Sequence, residues 1–190
     1  MDPLTDPAYR VPAVPDAAHG VAWLRSRVAR FCDGPDHRRR RKLAEDLLAG
    51  VDPDALRRPG DHVATLAEAL GVPRSISASV SADVDAVAAA YQPHTPQTPE
   101  ADRALERLVE ACGGVKDERT AALIGLLVQA CAATRAMIAG DDPPVPVTRR
   151  VDPSGAVVEV DLTGRPFGAG PHACPGRAHA LALVEGGALP

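Results

Sequence analysis

Aromatic residues are scarce in this chain of 190 residues: two Phe, two Tyr and one Trp, 3% in all. Lysine is nearly missing, with Lys42 and Lys116 set against 19 arginines, and asparagine does not occur. Basic side chains are outnumbered, Lys+Arg 21 to Asp+Glu 25, for a formal charge of −4. Without a basic field or rings to stack on bases, general nucleic-acid binding is excluded as an expectation. No basic segment followed by an apolar one succeeds Met1, so a secretory signal is not expected. Four cysteines, Cys32, Cys112, Cys131 and Cys174, are too few for a disulfide scaffold of this length, which points to the reducing cytoplasm. The most apolar run, Ala121 to Ala133, is broken by Gln129 and falls short of the roughly 20 residues that span a bilayer, so no membrane segment is expected. The preference for Arg, Ala and Pro suggests a high-GC bacterial coding bias.

What is present reads as globular. Hydrophobic residues make up 45% and charged residues 24%, a composition able to build one core, so a single domain is expected. Prolines number 19, about double average usage, and should mark helix ends and loops. Residues 1–15 read as an extended arm and residues 16–190 as the domain. Val21, Leu24, Val28 and Phe31 form a helical stripe from about Asp16, stopping at Asp33-Gly34-Pro35. Asp36 is a candidate cap for the next helix, which runs to Gly50. Further helical patterns cover Asp52–Arg58, His62–Leu70, Val80–Tyr91 and Pro99–Cys112, with a rigid loop from Gln92 to Pro99. Asp117–Ala139 is the longest pattern and should cross the middle of the domain. Val145, Val147, Val158, Val160 and Leu162 then alternate with polar neighbours across Asp152-Pro153-Ser154-Gly155, a candidate hairpin. A glycine-rich loop, Gly164 to Gly176, leads to a last apolar helix, Arg177 to Val184. The expected fold class is mainly α with a small β-hairpin before the glycine-rich loop.

Residues 167–176 carry the specific signal: Phe-Gly-Ala-Gly-Pro-His-Ala-Cys-Pro-Gly. Glycines let backbone approach a flat ligand and turn N–H groups toward one atom, and a cysteine held there can ligate iron as a thiolate. The loop resembles the haem-binding cysteine loop of cytochrome P450, through Phe167, Gly170, Cys174 and Gly176, with Gly168 and His172 as frequent companions. Six matches in ten positions arise by chance on the order of once in a million starts or fewer at average residue frequencies. The resemblance implies haem b with Cys174 as the axial iron ligand. Zinc held by His172, Cys174 and His179 is the competing reading, although His-x-Cys is not a usual zinc spacing. An inert buried cysteine in a glycine-rich loop is another.

Other segments resemble the same family in the same order. His37 and Arg41 lie four apart on one helix face, as in the family helix that holds a haem propionate, although an Arg run taken alone reads as a solvated face. Arg150, in Pro146–Val151, matches the strand whose Arg reaches a second propionate, and His172 matches a third donor. Leu66–Pro73 looks like a family helix end. The Asp117 helix resembles the family's distal helix, with Thr134 at its oxygen-side position and Ala133 where an acid usually stands. Ile124, Leu127 and Ala130 would then wall an apolar substrate pocket. Family members are longer: only Gly140, Asp141 and Asp142 separate the long helix from the strand, leaving no room for the Glu-x-x-Arg helix, and Glu159 to Gly164 lead directly into the cysteine loop, so the meander that precedes it in the family is missing too.

The resemblance therefore implies a shortened cytochrome P450-like domain, a haem-thiolate oxidoreductase acting as monooxygenase or with peroxide on a small apolar organic substrate, in bacterial specialised metabolism. A redox partner or peroxide would supply the oxidising equivalents. So small a shell around a haem also suggests a homo-oligomer or partner protein. A degenerate haem-binding or structural protein without turnover is the alternative, favoured by Ala133 and the missing helix.

Overall fold

The computed structural model describes residues 2–187. It is mainly helical, with seven α-helices and one two-stranded antiparallel sheet among the described residues. The helices are α1 (Gly20–Arg27), α2 (Gly34–Ala49), α3 (His62–Ala69), α4 (Ser77–Ala89), α5 (Pro99–Ala111), α6 (Glu118–Ala139) and α7 (Arg177–Gly187). Strands β1 (Val147–Val151) and β2 (Val157–Asp161) precede α7.

The turn chemistry of the sequence places most of these boundaries. Asp61 caps α3 by accepting the Ala64 N–H, Thr98 caps α5 through Ala101 N–H, and Asp117 caps α6 through Thr120 N–H. Proline stands in the first turn of α2 and α5, where no amide partner is lost. Gly140 ends α6 in the left-handed conformation. At 22 residues, α6 is about 33 Å long and packs against α2, α3, α4 and α7. Its bounds match the expected Asp117–Ala139 to within a residue, and by length and composition alone it is apolar enough to cross a membrane.

The first stripe departs from expectation. Helix α1 begins at Gly20, not near Asp16, because the Asp102 carboxylate on α5 receives the Val21 N–H at 2.8 Å and caps it from outside. Val28 is extended, at φ −98° and ψ 157°, and breaks the pattern before a 3-10 turn at Ala29–Phe31. Its side chain presses on α6 at Gly125, where a Cβ would lie 2.9 Å from Val28 Cγ1. The Asp52–Arg58 segment likewise tightens to a 3-10 turn, Pro53–Leu56.

Two hydrophobic clusters follow. The main one gathers α1 and α3–α7 around Leu24, Val84, Leu105 and Leu127, all fully buried. A smaller one joins Leu4 of the arm to Val160 and Leu162. The arm therefore packs as a strap: Arg10 and Val151 exchange backbone hydrogen bonds of 3.0 and 2.7 Å, and Asp2 pairs with Arg165 at 2.8 Å. In the hairpin, Thr148 pairs with Val160 and Arg150 with Val158. This register sends Thr148 and Arg150 inward and leaves Val147 exposed, the reverse of the apolar alternation expected for β1. Its inner face meets a charged cluster.

Candidate functional site

Three segments far apart in sequence meet around Asp33, where α2 begins. Asp33 receives the Val11 N–H on Oδ2 at 2.9 Å, and its Oδ1 lies 3.0 Å from His172 Nε2. An ionised carboxylate only accepts, so His172 donates from Nε2. The His172 ring lies against that of His37, with centroids 4.1 Å apart and planes tilted by 45°. Arg41, one turn along α2 from His37, donates to the carbonyl of Ala173 and, from Nε, to Glu45 at 2.6 Å. Arg150 enters from β1, where the charges of Arg30 and Asp33 act on it.

Thus His37, Arg41, Arg150 and His172 converge beside the segment bearing Cys174. His37 is 6% exposed and Arg150 7%. Neither has a carboxylate partner among the described residues. Burial first, then the cationic neighbours, hold the His37 imidazole below its ordinary pKa. Burial outweighs the Asp33 hydrogen bond and does the same to His172. Burial and the nearby Arg30 lower the Arg150 guanidinium.

The cysteine loop is held by its own backbone. Cys174 N–H donates to Phe167 O at 2.8 Å, Ala173 N–H to Gly170 O at 3.1 Å and Gly168 N–H to Arg165 O at 2.9 Å. Cys174 is exposed, while the surrounding protein raises its thiol above the ordinary value. The Gly176 N–H and Arg41 act in the opposite direction. Phe167 is half-buried and lies under the Arg177 guanidinium at 5.2 Å. Gly168 and Gly170 both have left-handed backbones, with φ +67° and +68°.

What approaches Gly170 is protein. A Cβ there would collide with Leu4 O and lie 3.1 Å from Leu4 C, so this glycine admits the arm. Gly176 is approached by Leu48 Cδ1, at 3.3 Å from its notional Cβ. The glycine pattern read as room for a flat ligand thus serves, at these two positions, packing within the chain.

Thr134 is 1% exposed on α6, and no hydrogen bond joins it to the cluster among the described residues. Ile124 and Leu127 are fully buried in the main core, not lining an open pocket, while Ala130 packs at its margin. His179 Nε2 lies 3.1 Å from Leu48 O and 3.0 Å from Val51 O, an engagement with α2 that removes it from a zinc set with His172 and Cys174. No group of three or more His, Cys, Asp or Glu side chains suited to a metal occurs among the described residues. An axial thiolate requires only one such atom.

Sequence reading missed Asp33 and Arg40. Asp33 appeared as a helix stop, with Asp36 as the cap; in the structure Asp33 occupies the cap position and sends its carboxylate to Val11 and His172. Its place four residues before His37 was the available signal. Arg40 is buried against Glu118 at 2.9 Å, whereas Arg38 and Arg39 are exposed, so the arginine run divides between inward and solvated faces.

Two hollows open elsewhere. One of about 570 Å³ lies between α4 and α5, lined by Ile76, Val80, Asp83 and Arg107. Another of about 280 Å³ lies by Leu70, Cys112 and Leu123. No family model, curated protein or solved structure matches this chain.

Proposed function

We propose that the chain is a haem-thiolate protein of shortened cytochrome P450-like fold, acting as an oxidoreductase on a small apolar organic substrate. The observation that carries this reading is the convergence of His37, Arg41, Arg150 and His172 beside the exposed Cys174. The residue types fit the group at its polar end: His37 and Arg150 are buried cationic or donor side chains without carboxylate partners, suited to haem propionates. Cys174 offers a sulfur; burial holds its thiol above the ordinary value against the smaller opposing pull of the Gly176 N–H and Arg41, so it is bonding to a metal that would draw off the proton.

Haem, if bound, would supply dioxygen or peroxide chemistry, with Cys174 as the residue that would hold its iron. Asp33 fixes the His172 ring through Nε2, which leaves Nδ1 to face outward from that bond. Arg41 ties α2 to the cysteine loop through Ala173 O, so a shift of the helix moves the loop with it. Ala133 cannot donate a proton, which favours peroxide as oxidant over dioxygen with a redox partner.

A second reading, a structural protein of the same design without turnover, is favoured by the arm's backbone at Gly170 and by the burial of Thr134. The test is the absorption spectrum of the purified protein reconstituted with haem, reduced, with and without carbon monoxide. A thiolate-type spectrum lost in Cys174→Ser and retained in Cys32→Ser, Cys112→Ser and Cys131→Ser is expected. An unchanged spectrum in Cys174→Ser would remove the ligand assignment. A thiolate spectrum without substrate-induced shifts or peroxide-supported oxidation would favour the structural reading.

A further inference from the structure

We infer that the N-terminal arm is a lid over the cysteine loop, which swings away to admit haem. The inference rests on the function proposed above and concerns how that site is entered. The arm touches each of the three segments that supply the site. At the start of α2, Asp33 Oδ2 accepts the Val11 N–H at 2.9 Å. On β1, Val151, the neighbour of Arg150, exchanges backbone hydrogen bonds of 3.0 and 2.7 Å with Arg10. In the cysteine loop, Gly170 is covered by arm backbone, with Leu4 C at 3.1 Å and Thr5 Cα at 3.3 Å from its notional Cβ. The bare glycine backbone that a flat ligand would approach is therefore occupied by the arm. Neither hollow described above is lined by a residue of this loop.

The arm is built to move as a unit. Asp2 closes a turn at its tip: Oδ1 accepts the Leu4 N–H at 3.1 Å, and the Asp2 carbonyl accepts the Thr5 and Asp6 N–H groups at 3.1 and 2.9 Å. That turn presents Leu4 as a plug against Val160 and Leu162. Residues 12–19 form neither helix nor strand, and Val14 packs against the main core, which places the pivot at Pro12-Ala13. The fastenings are few. Leu4 and Val11 are buried, but the Asp2–Arg165 pair is more than a third exposed on both sides and adds little. A segment held in this way opens locally while the rest of the chain stays folded. A ligand that binds only the open chain is taken up in proportion to the open population.

The experiment follows haem uptake by the haem-free chain, read as growth of the haem absorbance, in the parent, Leu4→Ala and Arg10→Pro. The first variant removes the plug and the second the N–H donated to Val151 O, and neither residue belongs to the site. Leu4→Ala should speed uptake about tenfold or more and Arg10→Pro about fivefold. Hydrogen exchange of the Val151 amide, which donates to Arg10 O, should rise by the same factors. Val84→Ala weakens the main core, where Val84 is fully buried, and should leave the uptake rate at the parent's value. A thiolate spectrum that forms at one rate in the parent and both arm variants, or an equal gain in Val84→Ala, overturns the lid alone. Absence of that spectrum in all of them overturns the haem assignment, and with it haem as what the lid admits.

Discussion

Gly168 and Gly170 form a matched pair for testing how the arm is held. Both have left-handed backbones, so an alanine at either costs about 1–2 kcal/mol in backbone strain. At Gly168 the nearest atoms to the new Cβ, Ala173 Cα and His172 O, are both 3.9 Å away, ordinary contact. At Gly170 the Cβ meets the backbone of Leu4, with Leu4 C at 3.1 Å and Thr5 Cα at 3.3 Å, and no rotamer relieves it. Leu4 is 4% exposed, and burying a leucine is worth about 1.5–3 kcal/mol. Ordering each arm residue costs about 1–2 kcal/mol of backbone entropy, so the strap is held by a small margin and yields before the loop does. Gly168→Ala and Gly170→Ala should therefore lower stability to urea by comparable amounts, while only Gly170→Ala frees the arm. Amide exchange at Arg10, Val11 and Val151, whose N–H groups bond across the junction, should rise about tenfold or more in Gly170→Ala, a change of about 1.4 kcal/mol. Equal protection in the two variants would refute the reasoning.

The double variant His37→Ala with Arg41→Ala removes two charge-assisted bonds of about 1.5–3 kcal/mol each and should weaken haem retention at least tenfold, measured by haem titration. Glu118 is bound by Arg39 at 2.7 and 2.8 Å and by Arg40 at 2.9 Å. The Arg39 bond first, then Arg40 against the cost of burial, takes its pKa from 4.5 to about 2. Its contribution to stability is complete above pH 4.5 and declines as pH falls through about 2, so the stability deficit of Glu118→Gln should shrink across that window in acid-titrated urea melts. Any oxidation by the haem-loaded chain should be supported better by peroxide than by a reductase system, and Ala133→Asp should narrow that gap, since a positioned proton donor is worth about 10² to 10⁴ in rate. Product formed per haem under both regimes measures it, and efficient reductase-driven turnover by the parent would remove the role assigned to Ala133.

Helix positions were legible wherever local chemistry sets them. Thr98-Pro99, Asp117 and Gly140 cap or stop helices by interactions within a few residues, and the apolar period of α5 shows directly which face is buried. The break at Val28 was not legible, because it depends on a glycine on α6 with room for that side chain. The inward face of β1 was misread for a related reason: Arg150 is turned in by its pairing with Val158 and by the company of Asp33 and His172, none of which is local. In the site, His37, Arg41, Arg150, His172 and Cys174 were singled out through the resemblance of their segments to cytochrome P450, not from residue type and spacing alone. Asp33, which links His172 to the arm, was not, because its two partners lie 22 and 139 residues away.

The strap also bears on the order of assembly. Asp2 and Arg165 are joined across 163 residues, so the arm leaves the ribosome long before its docking surface exists. At about 5–20 residues per second that interval lasts roughly ten to thirty seconds. Through it, Leu4 and Val11 remain uncovered on an extended segment able to pair with a sheet edge of another chain. Pro3, Pro7 and Pro12 punctuate that segment, each removing an amide that a foreign strand would need. The arm, which meets β1 at the single Arg10–Val151 bridge, thus carries prolines that guard it while it waits, and replacing them with good strand formers should increase aggregation during synthesis more than it changes the finished fold.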